Sequence, residues 1–134
     1  MQHPSPPRMI TASTLATDPR ETSRLSFGCP LLDAAFGGGL PLVGIHEICG
    51  EAGSGKTQVS LQLALQATLP VSCGGLGGRC CYLTSGEGQF PVRRLEQLAA
   101  LSAGRCGGAT TKELLMEGVL IQACASVGTV SFAR

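Results

Sequence analysis

Gly50-Glu51-Ala52-Gly53-Ser54-Gly55-Lys56-Thr57 is the stretch on which the reading of this chain turns. It follows a short apolar run, Ile45-His46-Glu47-Ile48-Cys49, and precedes a segment free of glycine that must stop being helical before Pro70. Strand, glycine turn and helix form the context in which G-x-x-x-x-G-K-[ST] carries chemistry. Gly50, Gly53 and Gly55 let the backbone turn tightly, so that successive N–H groups point into one concavity. A helix that opens near Lys56 adds its positive N-terminal end. In such a cradle Lys56 reaches the β- and γ-phosphates of a nucleotide, and the Thr57 hydroxyl is placed to ligate Mg²⁺. All eight residues, Glu51, Ala52 and Ser54 included, belong to the candidate phosphate site.

Outward from this motif, the sequence predicts a doubly punctuated α/β order. Residues 31–36 read as a short helix stopped by Gly37-Gly38-Gly39. Residues 45–49 read as a first strand and 56–69 as a helix. A glycine-rich loop over 71–78 leads to a second strand over 80–84. Pro91 suits a helix start, and Val92, Leu95, Leu98 and Ala99 lay an apolar stripe at helical spacing up to about Gly104. A short helix over 112–117 and a third strand over 119–124 follow. This order predicts parallel strands joined by helical crossovers. If the 80–84 strand neighbours the 45–49 strand, Glu87 in Gly86-Glu87-Gly88-Gln89-Phe90 projects toward the γ-phosphate, where a carboxylate can orient or deprotonate water.

Composition narrows the class. Ten Lys and Arg against nine Asp and Glu leave the 134 residues at +1, and charged residues are only 14% of the chain. That balance argues against a protein that coats itself in nucleic acid by charge alone. The longest uncharged run, residues 57–78, is interrupted by Gln58, Gln62, Gln66 and Pro70, so no membrane span is expected. Seven cysteines show no C-x-x-C spacing; several, Cys49, Cys80 and Cys81 among them, sit in apolar surroundings where Cys behaves as a small hydrophobe, so a reducing compartment is expected rather than a metal or disulfide framework. Residues 1–24 are rich in Pro, Ser and Thr and are expected to be a disordered leader. Arg8, Arg20 and Arg24 among hydroxyls give it a faint transit-peptide flavour that Asp18 and Glu21 oppose.

Three segments together resemble the RecA-like recombinases, and more specifically the eukaryotic recombinase paralogs. They are Arg24-Leu25-Ser26-Phe27-Gly28-Cys29-Pro30-Leu31-Leu32-Asp33 with Gly38-Gly39-Leu40-Pro41-Leu42, Gly44 to Gln58 with its Walker A loop, and Glu87-Gly88-Gln89-Phe90 running on to Arg94-Leu95. The resemblance implies a P-loop NTPase with a parallel sheet and flanking helices, here a partial ATPase core over 25–134 that stops after about three strands. It implies ATP and Mg²⁺ as cofactors, with Glu87 as the candidate general base. It also implies a nuclear role, with the cytoplasm open, in homologous-recombination repair of double-strand breaks. The implied partners are a sister paralog and the recombinase, with single-stranded DNA reached only through a complex or longer form.

The sequence departs from the family pattern at Gly86, one residue more than the family places between strand and glutamate. It also lacks a later strand carrying a Walker B aspartate. A non-catalytic module that docks on a sister paralog is therefore the alternative reading.

Overall fold

The computed structural model describes residues 11–85 and 90–124. Two short helical turns, α1 (Ala12–Ala16) and α2 (Pro19–Thr22), occupy part of the stretch expected to be a disordered leader. Thr11 caps α1 by accepting from Thr14 N–H, which is the local reason a hydroxyl-rich segment turns here. No residue of α1 is buried, so the turn rests on its cap alone.

The ordered body opens with β1 (Arg24–Leu25), which pairs antiparallel with β2 (Leu40–Pro41). Between them lies α3 (Pro30–Ala35), with proline in its first turn. It ends where the glycines predict: Gly37, at φ 63°, donates to Ala34 O, and Gly38 donates to Asp33 O at 2.7 Å. These two bonds satisfy the last carbonyls of the helix. Gly39 has a separate reason to be glycine. A Cβ there would sit 2.4 Å from the Leu25 carbonyl oxygen, so the β1–β2 pairing requires its absence.

Helix α4 (Lys56–Thr68) is the pillar of the molecule. Leu61, Ala64, Leu65 and Leu69 lie on one face and are buried, Leu65 completely at 0% exposure. Against them pack Leu95, Leu98 and Ala99 of α5 (Val92–Arg105), Leu115 of α6 (Lys112–Glu117), and Val119 at the start of β4 (Val119–Cys124). Strand β3 (Cys80–Ser85) runs parallel to β4 in register from Cys80 opposite Val119 to Ser85 opposite Cys124. Helices α5 and α6 make the crossover that a parallel pair needs. Alternation then sends Cys80 and Tyr82 toward the core and leaves Leu83 exposed on the other face. Exposed Leu120, opposite Cys81, extends that open surface on β4, while Ile121, opposite Tyr82, lies on the other face.

The α/β order and the parallel sheet stand, but the first strand is corrected. Residues 45–49 form no strand; residues 42–50 are exposed, and Ile45 is fully so. A strand is held by ladder hydrogen bonds to a neighbour, and no described strand pairs with this segment. The neighbour of 80–85 is 119–124, not 45–49. Among the described residues no helix is long and apolar enough to cross a membrane, and no cluster of three His, Cys, Asp or Glu could hold a metal.

Truncating the pillar tests this core. Leu65→Ala is expected to cost about 2–5 kcal/mol in urea unfolding, whereas Leu31→Ala, at an 82% exposed position, is expected to stay within about 0.5 kcal/mol. Equal losses would contradict the placement of α4. A second expectation concerns Cys106, whose thiol is pushed up from 9.0 to about 11, first by its hydrogen bond with Cys73 and then by burial. Only the thiolate alkylates, so Cys106 should label more slowly with iodoacetamide at pH 7.5 than the exposed Cys49 and Cys81. Its rate should climb about tenfold per pH unit toward pH 11, and Cys73→Ala should raise the rate at pH 7.5. Labelling of Cys106 as fast as Cys81 at that pH would contradict the contact.

Candidate phosphate site

The turn before α4 is built by two left-handed glycines. Gly53 sits at φ 80° and Gly55, the residue before the helix, at φ 95° and ψ 9°. A side chain is strained in that region by roughly 1–2 kcal/mol, which is why the motif places glycine at both. Gly50 is different: its φ is not positive, and a Cβ there would meet Ser54 Oγ at 2.6 Å. It is a close-approach glycine rather than a turn glycine. The loop is pinned by Ser54 N–H donating to Glu51 O at 3.2 Å.

Lys56 folds back into this loop. Its ammonium donates to Gly50 O at 2.8 Å and to Glu51 O at 2.7 Å. The cation is thus carried inside the turn by two carbonyl oxygens, at the mouth of the helix. The first hydrogen bond of α4 runs from Val59 N–H to Gly55 O at 3.0 Å. The amides of Lys56, Thr57 and Gln58 therefore precede the helical ladder, and among the described residues no hydrogen bond from them is found. Thr57 is exposed, and no hydrogen bond of its hydroxyl is found among the described residues.

This donor set suits an anion: the Lys56 ammonium, the amides that open a helix and a hydroxyl for a hard cation. The space fits as well, because a Cβ on Gly53 or Gly55 would touch nothing within 4 Å. Triphosphate oxygens can take over the Lys56 ammonium from the two carbonyls, and Thr57 Oγ1 is the only motif hydroxyl in the helix itself. Glu87 and its neighbours Gly86, Gly88 and Gln89 lie outside the described residues. The ends of that stretch are fixed: β3 stops at Ser85, and the Phe90 ring meets Tyr82 edge-on with centroids 5.0 Å apart.

Two contacts that motif reading misses frame the site. The Asp33 carboxylate accepts from Ser26 Oγ at 2.6 Å and from Phe27 N–H at 2.7 Å, locking the stretch that carries Phe27 into the fold. Arg94, in the first turn of α5, donates through Nε to Gln58 Oε1 at 2.8 Å, in the first turn of α4. The apolar spacing of α5 gives no sign of this bond, because its partners are 36 residues apart. An apolar cavity of about 580 Å³, bordered by Phe27, Leu32, Phe36, Ile45, Ile48 and Val59, adjoins the segment leading into the loop.

Comparison with known proteins agrees with the resemblance read from the motifs. The family model described as Rad51 matches residues 19–105. The DNA repair protein XRCC3 of Bos taurus is 44% identical over 116 residues, 84% of this chain and 34% of that protein. The DNA repair protein XRCC3 homolog of Arabidopsis thaliana is 49% identical over 76 residues, 57% of this chain and 25% of that protein. The DNA repair protein RAD57 of Saccharomyces cerevisiae is 48% identical over 67 residues, 50% of this chain and 14% of that protein. The chain thus spans about a third or less of the length of these relatives. On this family match and these relatives, this chain belongs to the Rad51 family, as a recombinase paralog resembling XRCC3.

Proposed function

We propose that this chain binds ATP with Mg²⁺ at residues 50–57 and serves the repair and recombination of DNA in a complex with other recombinase paralogs. The observation that carries the reading is the Lys56 ammonium held within its own glycine loop, beside the amides that open α4 ahead of its helical ladder. Bound Mg²⁺ would neutralise phosphate charge and polarise the terminal phosphoryl group. The chain's own part is to receive the phosphates: the loop and helix amides donate to their oxygens, Lys56 balances their charge, and Thr57 offers its hydroxyl to the cation. Glu87 is proposed as the group that orients or deprotonates the attacking water. A nuclear location, the recombinase as partner and single-stranded DNA reached through the complex belong to the same proposal, supported by family membership.

The non-catalytic alternative is favoured by one observation. Leu83 and Leu120 are exposed on the open face of the β3–β4 pair, an apolar surface suited to docking on another paralog. The two readings are compatible, since a nucleotide-loaded chain can also be a docking partner. They differ over turnover, which the second reading does not require.

Binding of a fluorescent ATP analogue with Mg²⁺ tests the nucleotide reading. Removal of a charged hydrogen-bonding group is expected to weaken binding roughly 10- to 100-fold in Lys56→Ala, with little change in thermal stability. Equal affinity of Lys56→Ala and the wild-type chain would overturn the reading.

A further inference from the structure

Arg94 is exposed, yet its guanidinium has a fixed pose. Gln97, three residues along α5, accepts from Arg94 Nη1 at 3.1 Å, and Gln58 accepts from Nε at 2.8 Å. The i, i+3 contact orients the planar fork, and the other edge crosses to α4. Its acceptor stands in the turn whose amides open the helix, two residues beyond Lys56. Deeper in the molecule, Leu95 is buried with Leu61 and Leu65, so the core sets the spacing of the two helices there. That packing takes in Leu95, in the first turn of α5, but no residue of the first turn of α4, Lys56 to Val59. Between these two first turns, the Arg94–Gln58 bond is the polar link among the described residues.

We infer that Arg94 is a positioning residue of the nucleotide site, which through Gln58 holds the first turn of α4 at a set orientation against α5. The inference rests on the proposal that residues 50–57 hold a nucleotide. A helix turn that sways spreads its donors over many directions, and binding must then order it; a turn already tethered presents Lys56 and the amides ready. The link is reciprocal. A nucleotide that orders the first turn of α4 also steadies the start of α5 by the same factor. Arg93 is the internal control. It is the adjacent exposed arginine, carries the same charge and makes no hydrogen bond among the described residues.

The full chain is compared with Arg94→Ala, Arg94→Lys, Gln58→Ala, the double variant and Arg93→Ala. Two readouts are used: affinity for a fluorescent ATP analogue with Mg²⁺, and amide exchange at Val59 and Ser60 in the nucleotide-free chain. Arg94→Ala is expected to weaken binding about fivefold, the scale of one hydrogen bond, and to speed exchange at both amides. Gln58→Ala should match it, and the double variant should be no worse than either single, because both remove one interaction. Arg94→Lys should recover part of the loss, and Arg93→Ala should behave as wild type. Wild-type affinity and exchange in Arg94→Ala would overturn the inference, as would equal losses in Arg93→Ala and Arg94→Ala or additive losses in the double variant. Failure of the nucleotide reading itself is distinguishable: Lys56→Ala then binds as well as wild type, while the exchange readout still decides whether Arg94 holds the turn.

Discussion

Burial of Leu61, Ala64, Leu65 and Leu69 along one side of α4 gives that helix a single seat, under the β3–β4 pair and against α5 and α6. Removing that apolar surface from water is the main force available to a chain with so few charged groups. The same helix begins at Lys56, so the seat of its later turns sets where its first turn lies, and the Arg94–Gln58 bond ties that turn to α5. Core and candidate site are thus two ends of one helix. The loop needs no packing of its own, and residues 50–54 are exposed because the helix does the placing.

The stretch before the loop is held by polar and backbone means instead. Asp33 gathers Ser26 and the Phe27 amide, Arg24 donates to the Gly39 carbonyl at 3.0 Å, and Phe27 is buried with its ring 5.1 Å from Phe36. Gly28 completes the fit, at φ 68°, where a Cβ would come within 2.2 Å of Gln66 Nε2 and 2.6 Å of Gln62 Nε2. The polar side of α4, marked by glutamines four residues apart, is therefore the surface against which this stretch lies. A larger residue at position 28 would be strained at that φ and would have to displace the amide ends of both glutamines.

Where the sequence was legible, punctuation and period agreed. Pro70 ends α4, the apolar stripe of α5 is the buried one, and the 119–124 strand stands at its expected bounds. The turn before α4 was legible because Gly53 and Gly55 answer a backbone need that residues with a Cβ meet only at a cost. Residues 45–49 were misread for a physical reason: apolar character between glycines reports a tendency to be buried, whereas a strand exists only beside a partner. Pattern also gave Gly50 the wrong role, since a close approach to Ser54 is a tertiary fact. The Arg94–Gln58 bond was hidden for the same reason. Each residue suits a solvated helix face, and only the packing of α4 on α5 brings them together.

The central claim is that the opening of α4, with Lys56 folded into the glycine loop, is a receptor for nucleotide phosphate. Amide chemical shifts followed by NMR during titration with Mg²⁺ and a slowly hydrolysed ATP analogue test it most directly. The account predicts saturable shifts concentrated at Gly53, Ser54, Gly55, Lys56, Thr57 and Gln58, with the buried amides of Leu61 and Leu65 nearly still. Shifts absent from these six amides at saturating nucleotide, or confined to another face of the molecule, would contradict it.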